Sequence, residues 1–136
     1  MIVLEGAGNG TLSVHDFMKK KVVVIGGGNG GAKSIGACKT FIDRIELSAV
    51  ISVSDSGGSS GRLREEFNIL PPGDILRAVM AMSFYSYDTL KPIFYKSRFE
   101  GLGTLDGHNL GNLFLVFASQ YAGGDMVSAI RALEQS

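Results

Sequence analysis

Two glycine-rich segments each follow a short apolar run, and each run with its loop has the form of a parallel strand opening into a ligand loop. Val22-Val23-Val24-Ile25 precedes Gly26-Gly27-Gly28-Asn29-Gly30-Gly31. Ala49-Val50-Ile51-Ser52-Val53 precedes Asp55-Ser56-Gly57-Gly58-Ser59-Ser60-Gly61. An unbroken β-branched run such as 22–25 is the pattern of a strand covered on both faces. In an open α/β sheet, ligands bind beyond the carboxyl ends of the strands. Two such loops on neighbouring strands would floor one crevice. Glycine lets the backbone approach phosphate closely, and unpaired amides there bind the anion.

The spacing of the remaining apolar residues fills in the elements. Ile35, Ala37, Cys38, Phe41 and Ile42 predict a helix over 32–41, and Leu47 to Val53 a second strand. Together these make a βαβ unit. Ser60 to Phe67 reads as a short polar helix. Pro71 to Asp74 reads as a turn, with Asp74 as N-cap of an amphipathic helix from Ile75 to Phe84. Residues 85–104 read as irregular and aromatic. Helices follow over Leu110–Tyr121 and, capped by Asp125, over Met126–Leu133.

Only two strands are evident, where a parallel sheet normally has four or more. The expected fold is therefore α/β: a Rossmann-like parallel sheet with flanking helices, incomplete as it stands. Ile2-Val3-Leu4-Glu5-Gly6-Ala7-Gly8-Asn9-Gly10 echoes Val22 to Gly30. A duplicated βα unit is one reading. The favoured one is a chance echo in an N-terminal extension, residues 1–20, with Thr11–Lys20 as a loose lead-in helix. Residues 21–136 then form the partial domain.

Bulk properties exclude several classes. The chain has 136 residues and a formal net charge of +0. That length suits one domain. Zero charge gives no field for nucleic acid or a membrane surface, so phosphate affinity must come from local geometry. The single cysteine, Cys38, permits no intramolecular disulfide and reads as a small helix hydrophobe. No apolar run is long enough to span a bilayer, and the N-terminus lacks the layout of a signal peptide. A cytoplasmic protein is expected.

Gly26, Gly28 and Gly31 satisfy G-x-G-x-x-G between strand and helix. Asp55 stands where a dinucleotide fold holds its ribose-binding acid. The second loop crowds the place of an NAD adenosine, which disfavours ordinary NAD binding. Lys33 offers a phosphate point charge, although the loop is no P-loop. Ser59-Ser60-Gly61-Arg62-Leu63-Arg64 brings hydroxyls, amides and two guanidiniums together. Arginine suits bidentate phosphate contacts. Ligand contact is favoured for Arg62 and is balanced against pairing with Glu65 or Glu66 for Arg64. Asp55 and Asp74 are the carboxylates expected in the crevice, as metal ligand or base; helix capping is at least as good a role for Asp74. His108-Asn109-Leu110-Gly111-Asn112 opens a helix, where a histidine can stabilise charge or move a proton. His15 lacks such context.

Taken together, Val22–Gly30 (VVVIGGGNG), Ile51–Arg64 (ISVSDSGGSSGRLR), Ile69–Ile75 (ILPPGDI), Arg98-Phe99 and Gly107–Leu113 (GHNLGNL) resemble the gluconeogenesis-factor (YvcK-like) and 2-phospho-lactate transferase (CofD-like) family, nearer the YvcK-like branch. The resemblance implies a Rossmann-like fold holding a phosphorylated ligand at the glycine loops. YvcK-like proteins bind UDP-N-acetylglucosamine and affect carbon metabolism and cell shape. CofD-like enzymes use magnesium to join a phospholactyl group to a deazaflavin. Carried over, the ligand residues are Gly26, Gly27, Gly28, Asn29, Gly30, Asp55, Ser56, Gly57, Gly58, Ser59, Ser60, Arg62, His108, Asn109 and Asn112.

Asn29 stands where the family commonly has threonine, Ser56 where a second aspartate often follows, and Leu76 where an arginine is common, with Arg77 one place later. Family members also continue well beyond residue 136. The expected function is regulatory binding of a nucleotide sugar such as UDP-N-acetylglucosamine. The alternatives are a transferase of a phosphorus-containing group, with Asp55 holding Mg²⁺ and His108 assisting, or a truncated product that needs its missing half. A homodimer is the expected assembly.

Overall fold

The structure is a computed structural model that describes residues 2–5 and 19–134. Three strands, β1 (Ile2–Glu5), β2 (Lys20–Gly26) and β3 (Ile45–Ile51), form a sheet in the order β1-β3-β2. β2 and β3 are parallel, with Val22 opposite Leu47 and Gly26 opposite Ile51. The two strands therefore finish level, and their loops leave the same end of the sheet. The chain is thus α/β, with a parallel strand pair flanked by helices.

Ile2–Glu5 does form a strand, but it runs antiparallel to β3, with Ile2 opposite Ile51. A duplicated βα unit would place its strand parallel, so the echo of Val22–Gly30 is not a structural repeat. The expected lead-in helix over Thr11–Lys20 falls largely on residues 11–18, outside the described ones. Its last residue, Lys20, opens β2.

The helices are α1 (Gly28–Lys39), α2 (Gly58–Phe67), α3 (Pro72–Met82), α4 (Tyr87–Lys91), α5 (Leu110–Tyr121) and α6 (Met126–Glu134). α1 and α2 each start earlier than apolar periodicity indicates, because glycine-rich turns carry no apolar marker. Both begin on a glycine with positive φ, Gly28 at 58° and Gly58 at 51°. A left-handed entry of this kind favours glycine. α1 also ends earlier, which leaves Phe41 outside the helix and 56% exposed.

α3 starts at Pro72, so Asp74 lies in its first turn and is not its N-cap. Proline at the first helical position is preset for the helix and loses no needed donor. Residues 85–104 are also more regular than expected. They hold α4, a π-helical turn at Pro92–Lys96 and a 3₁₀ turn at Gly103–Leu105.

One face of the sheet, carrying Leu47, Ala49 and Ile51, is buried against Ile35 of α1 and Ile75 of α3. Leu115 of α5 and Ile130 of α6 complete that core. The opposite face is open, with Val23 54% and Ile25 80% exposed. The expectation that Val22–Ile25 is covered on both faces does not hold, because among the described residues no helix packs on the outward side chains of β2.

Gly61 sets how closely α2 approaches its own loop. A Cβ there would collide with the Ser56 carbonyl oxygen and stand 2.8 Å from the Ser56 carbonyl carbon. Backbone cannot swing aside as a side chain does. Gly61→Ala should therefore cost about 2 kcal/mol, within the range for overpacked sites. Urea denaturation checks this, and a loss below about 0.5 kcal/mol would contradict the packing.

Candidate functional site

Ser59 and Ser60, adjacent on the first turn of α2, tie three helix N-termini together. Ser60 is buried, and its Oγ accepts the Gly73 N–H at 3.1 Å, which joins α2 to the start of α3. Ser59 Oγ lies 2.8 Å from His108 Nδ1 and accepts from Asn112 Nδ2 at 3.1 Å, which joins α2 to the start of α5. Asn109 caps α5, its Oδ1 accepting the Asn112 N–H at 2.7 Å. Helix N-termini carry partial positive charge and unsatisfied amides. Three of them at one place favour an anion.

His108, Asn109 and Asn112 are all buried, at 2%, 0% and 2% exposure. Asn109 Nδ2 and Asn112 Oδ1 are buried there without a hydrogen-bond partner. Buried polar atoms in native proteins are nearly always paired, so each exception calls for an explanation. The sequence brings these residues together only through the fold, since Ser59 and His108 stand 49 positions apart.

Cations rim this junction. Arg62 Nη2 donates to the Asp106 carbonyl at 2.6 Å, and Arg98 Nη1 to the Gly107 carbonyl at 3.3 Å. Both guanidiniums are exposed, beside His108. Arg64 points elsewhere: with Ser56, Glu65, Asn68 and Ile69 it lines a separate open hollow of ≈ 360 Å³. Lys33 is exposed on α1.

The carboxylates sit on the sheet side. Asp55 Oδ1 accepts the Gly57 N–H at 3.1 Å, and its Oδ2 lies 3.3 Å from where a Cβ would stand on Gly73. Asp74 reaches across to the first glycine loop. Its Oδ2 is 3.5 Å from a Cβ position on Gly27, and its Oδ1 is 3.9 Å from one on Gly28. The first turn of α3 thus stands between the two loops, with Gly73 beside Asp55 and Asp74 beside Gly27 and Gly28. Arg77 and Tyr95 hold Asp74 in place, an arrangement that sequence reasoning missed. Arg77 Nη1 donates to Asp74 Oδ1 at 2.5 Å, Nη2 donates to the Tyr95 hydroxyl, and the guanidinium lies 4.7 Å from the Tyr95 ring centroid.

Against known families, the one described as 2-phospho-L-lactate transferase CofD matches residues 22–136. The chain belongs to the CofD family. A putative gluconeogenesis factor from Nostoc is 42% identical over 112 residues, 82% of this chain and 24% of its own length. The gluconeogenesis factor of Halalkalibacterium halodurans is 42% identical over 105 residues, 77% of this chain and 31% of its own length. A crystallised Bacillus halodurans protein superposes with a TM-score of 0.74 at 40% identity, over 86% of this chain and 36% of that one. This CofD-family chain therefore spans roughly a third of the proteins it matches.

Every candidate ligand residue lies inside the matched segment. Leu76, in place of the common arginine, is buried at 1% and packs where a Cβ on Gly111 would stand 2.5 Å from its Cδ2. A charged side chain has no room there. No helix among the described residues is long and apolar enough to cross a membrane.

Burial lowers the His108 pKa from its ordinary 6.5, and the nearby Arg62 and Arg98 push it the same way against Glu66. His108 is therefore neutral at pH 7. Ser59 Oγ receives its hydrogen bond from Asn112, so its own proton is free to go to Nδ1. Protonating His108 removes that acceptor. The folded state resists the proton more than the unfolded chain does, so His108 contributes stability above pH 6.5 that is lost on acidification. Urea midpoints should fall from pH 7.5 to pH 5.5, and His108→Gln should flatten that dependence. An equally steep fall in the variant would contradict this assignment.

Proposed function

We propose that the chain binds a phosphorylated nucleotide ligand, with its phosphates at the junction of α2, α3 and α5. The observation that carries this reading is an unpartnered buried donor, Asn109 Nδ2, at three joined helix N-termini. An anion beside that junction would meet the amides of Gly58–Ser60 and the Arg62 guanidinium. A nucleotide sugar such as UDP-N-acetylglucosamine fits, with polar groups at both ends of the crevice. The name gluconeogenesis factor borne by the relatives supports a regulatory role in carbon metabolism; control of cell wall or cell shape is part of the same reading.

The second reading is a magnesium-dependent transferase of a phosphorus-containing group, favoured by the family description. Mg²⁺ is usually held by one or two carboxylates plus substrate phosphates. Asp55, beside the α2 N-terminus, fits as such a ligand. Among the described residues no three His, Cys, Asp or Glu side chains cluster as a metal cage, so substrate oxygens would complete the shell. The ion would neutralise phosphate charge, while the loop amides orient the group.

A ligand that binds only the folded state raises its stability, by about 2.7 kcal/mol at a hundredfold excess over Kd. Thermal melts with UDP-N-acetylglucosamine, UDP and GTP should rise, and melts with NAD should not. If none of the phosphorylated ligands shifts the melt, the proposal fails. A shift that requires Mg²⁺ and is lost in Asp55→Asn selects the transferase reading.

A further inference from the structure

The carboxylate over the first glycine loop gives the crevice a direction. A G-x-G-x-x-G turn ordinarily takes phosphate at the helix N-terminus, and the acid at the end of the next strand reads sugar hydroxyls. Here the acid at that strand end, Asp55, is turned toward the α2 loop and accepts the Gly57 N–H. The carboxylate beside Gly27 and Gly28 comes instead from Asp74 on α3. Its side chain is only 13% exposed. α1 has no side-chain N-cap hydrogen bond and no acidic residue in its first turn, and Asp74 is the carboxylate beside its N-terminal Gly27 and Gly28.

A carboxylate accepts hydrogen bonds and cannot donate them, and the same holds for an ionised phosphate. A phosphate seated over Gly27 would therefore meet an acceptor of the same sign. A hydroxyl donor would be satisfied there. Arg77 and the Tyr95 hydroxyl fix the carboxylate in one orientation, and the ring under the guanidinium restrains the clamp itself. The π-helical turn Pro92–Lys96 carries Tyr95 to this position. The cationic rim of Arg62 and Arg98 lies with His108 and Gly107.

We infer that Asp74, and not Asp55, is the hydroxyl-reading acid of the crevice, so that the ligand lies with its phosphates toward Ser59 and Arg62 and a vicinal diol over Gly27–Gly28. This rests on the proposed binding of a phosphorylated ligand. The diol is either that of the ribose or that of an attached sugar. Arg77 and Tyr95 are positioning residues that act through Asp74.

Calorimetric titration of the full chain and of Asp74→Asn with UDP, 2′,3′-dideoxy-UDP and UDP-N-acetylglucosamine tests this. If the ribose is read, the unsubstituted chain prefers UDP to the dideoxy analogue, by about tenfold for one hydrogen bond to a charged group. Asp74→Asn then erases that preference. If the attached sugar is read, the preference for UDP-N-acetylglucosamine over UDP is the one erased. Tyr95→Phe, which leaves the carboxylate in place, should weaken the same preference partially and serves if Asp74→Asn melts early. Preferences that survive both substitutions overturn the inference and leave phosphorylated-ligand binding standing. Failure of the unsubstituted chain to bind any of the three overturns both.

Discussion

The parallel pairing of β2 with β3 is the constraint on which the rest depends. Gly26 opposite Ile51 makes the two strands end level. The Ser52 N–H donates to the Gly26 carbonyl at 2.8 Å and continues the pairing past the last ladder position. Any slip in this register would separate the two loops, and one residue would also turn Leu47, Ala49 and Ile51 out of the core. With the register fixed, α1 and α2 leave the same end of the sheet. α3 then packs beneath them and delivers Asp74, while α5 delivers His108, Asn109 and Asn112.

The polar contacts fall into two chemically distinct groups. In one are helix N-termini joined by Ser59 and Ser60, a neutral histidine and two exposed arginines. In the other a clamped carboxylate stands over glycine backbone. Electrostatics of this kind is local. The chain as a whole carries a formal charge of +0, so any preference for an anion rests on local geometry and not on a field over its whole surface.

The loops were legible in the sequence because a glycine cluster after a β-branched run has few other uses. The helices were legible where apolar spacing marked them, as for Leu110–Tyr121, and misplaced where glycine or proline opened the first turn, as for α1, α2 and α3. The open face of β2 was not legible, because a β-branched run looks the same whether one or both faces are covered. Nor was the antiparallel course of β1, since a four-residue strand has no directional signature. The candidate residues around the second loop and His108 were found by motif, but their meeting at Ser59 was not. The Asp74–Arg77–Tyr95 clamp was missed altogether. Arg77 and Tyr95 lie 18 positions apart, and Tyr95 falls in a segment that shows no periodicity.

The central claim is that both glycine loops and the start of α5 serve one phosphorylated ligand. Backbone amide shifts of the isotope-labelled chain, followed during titration with UDP-N-acetylglucosamine, test it most directly. The account predicts that the amides of Gly27–Gly30, Gly57–Ser60 and Asn109–Asn112 move together along a single saturating curve. Shifts confined to one loop, or centred on the hollow beside Arg64 and Asn68, would contradict it.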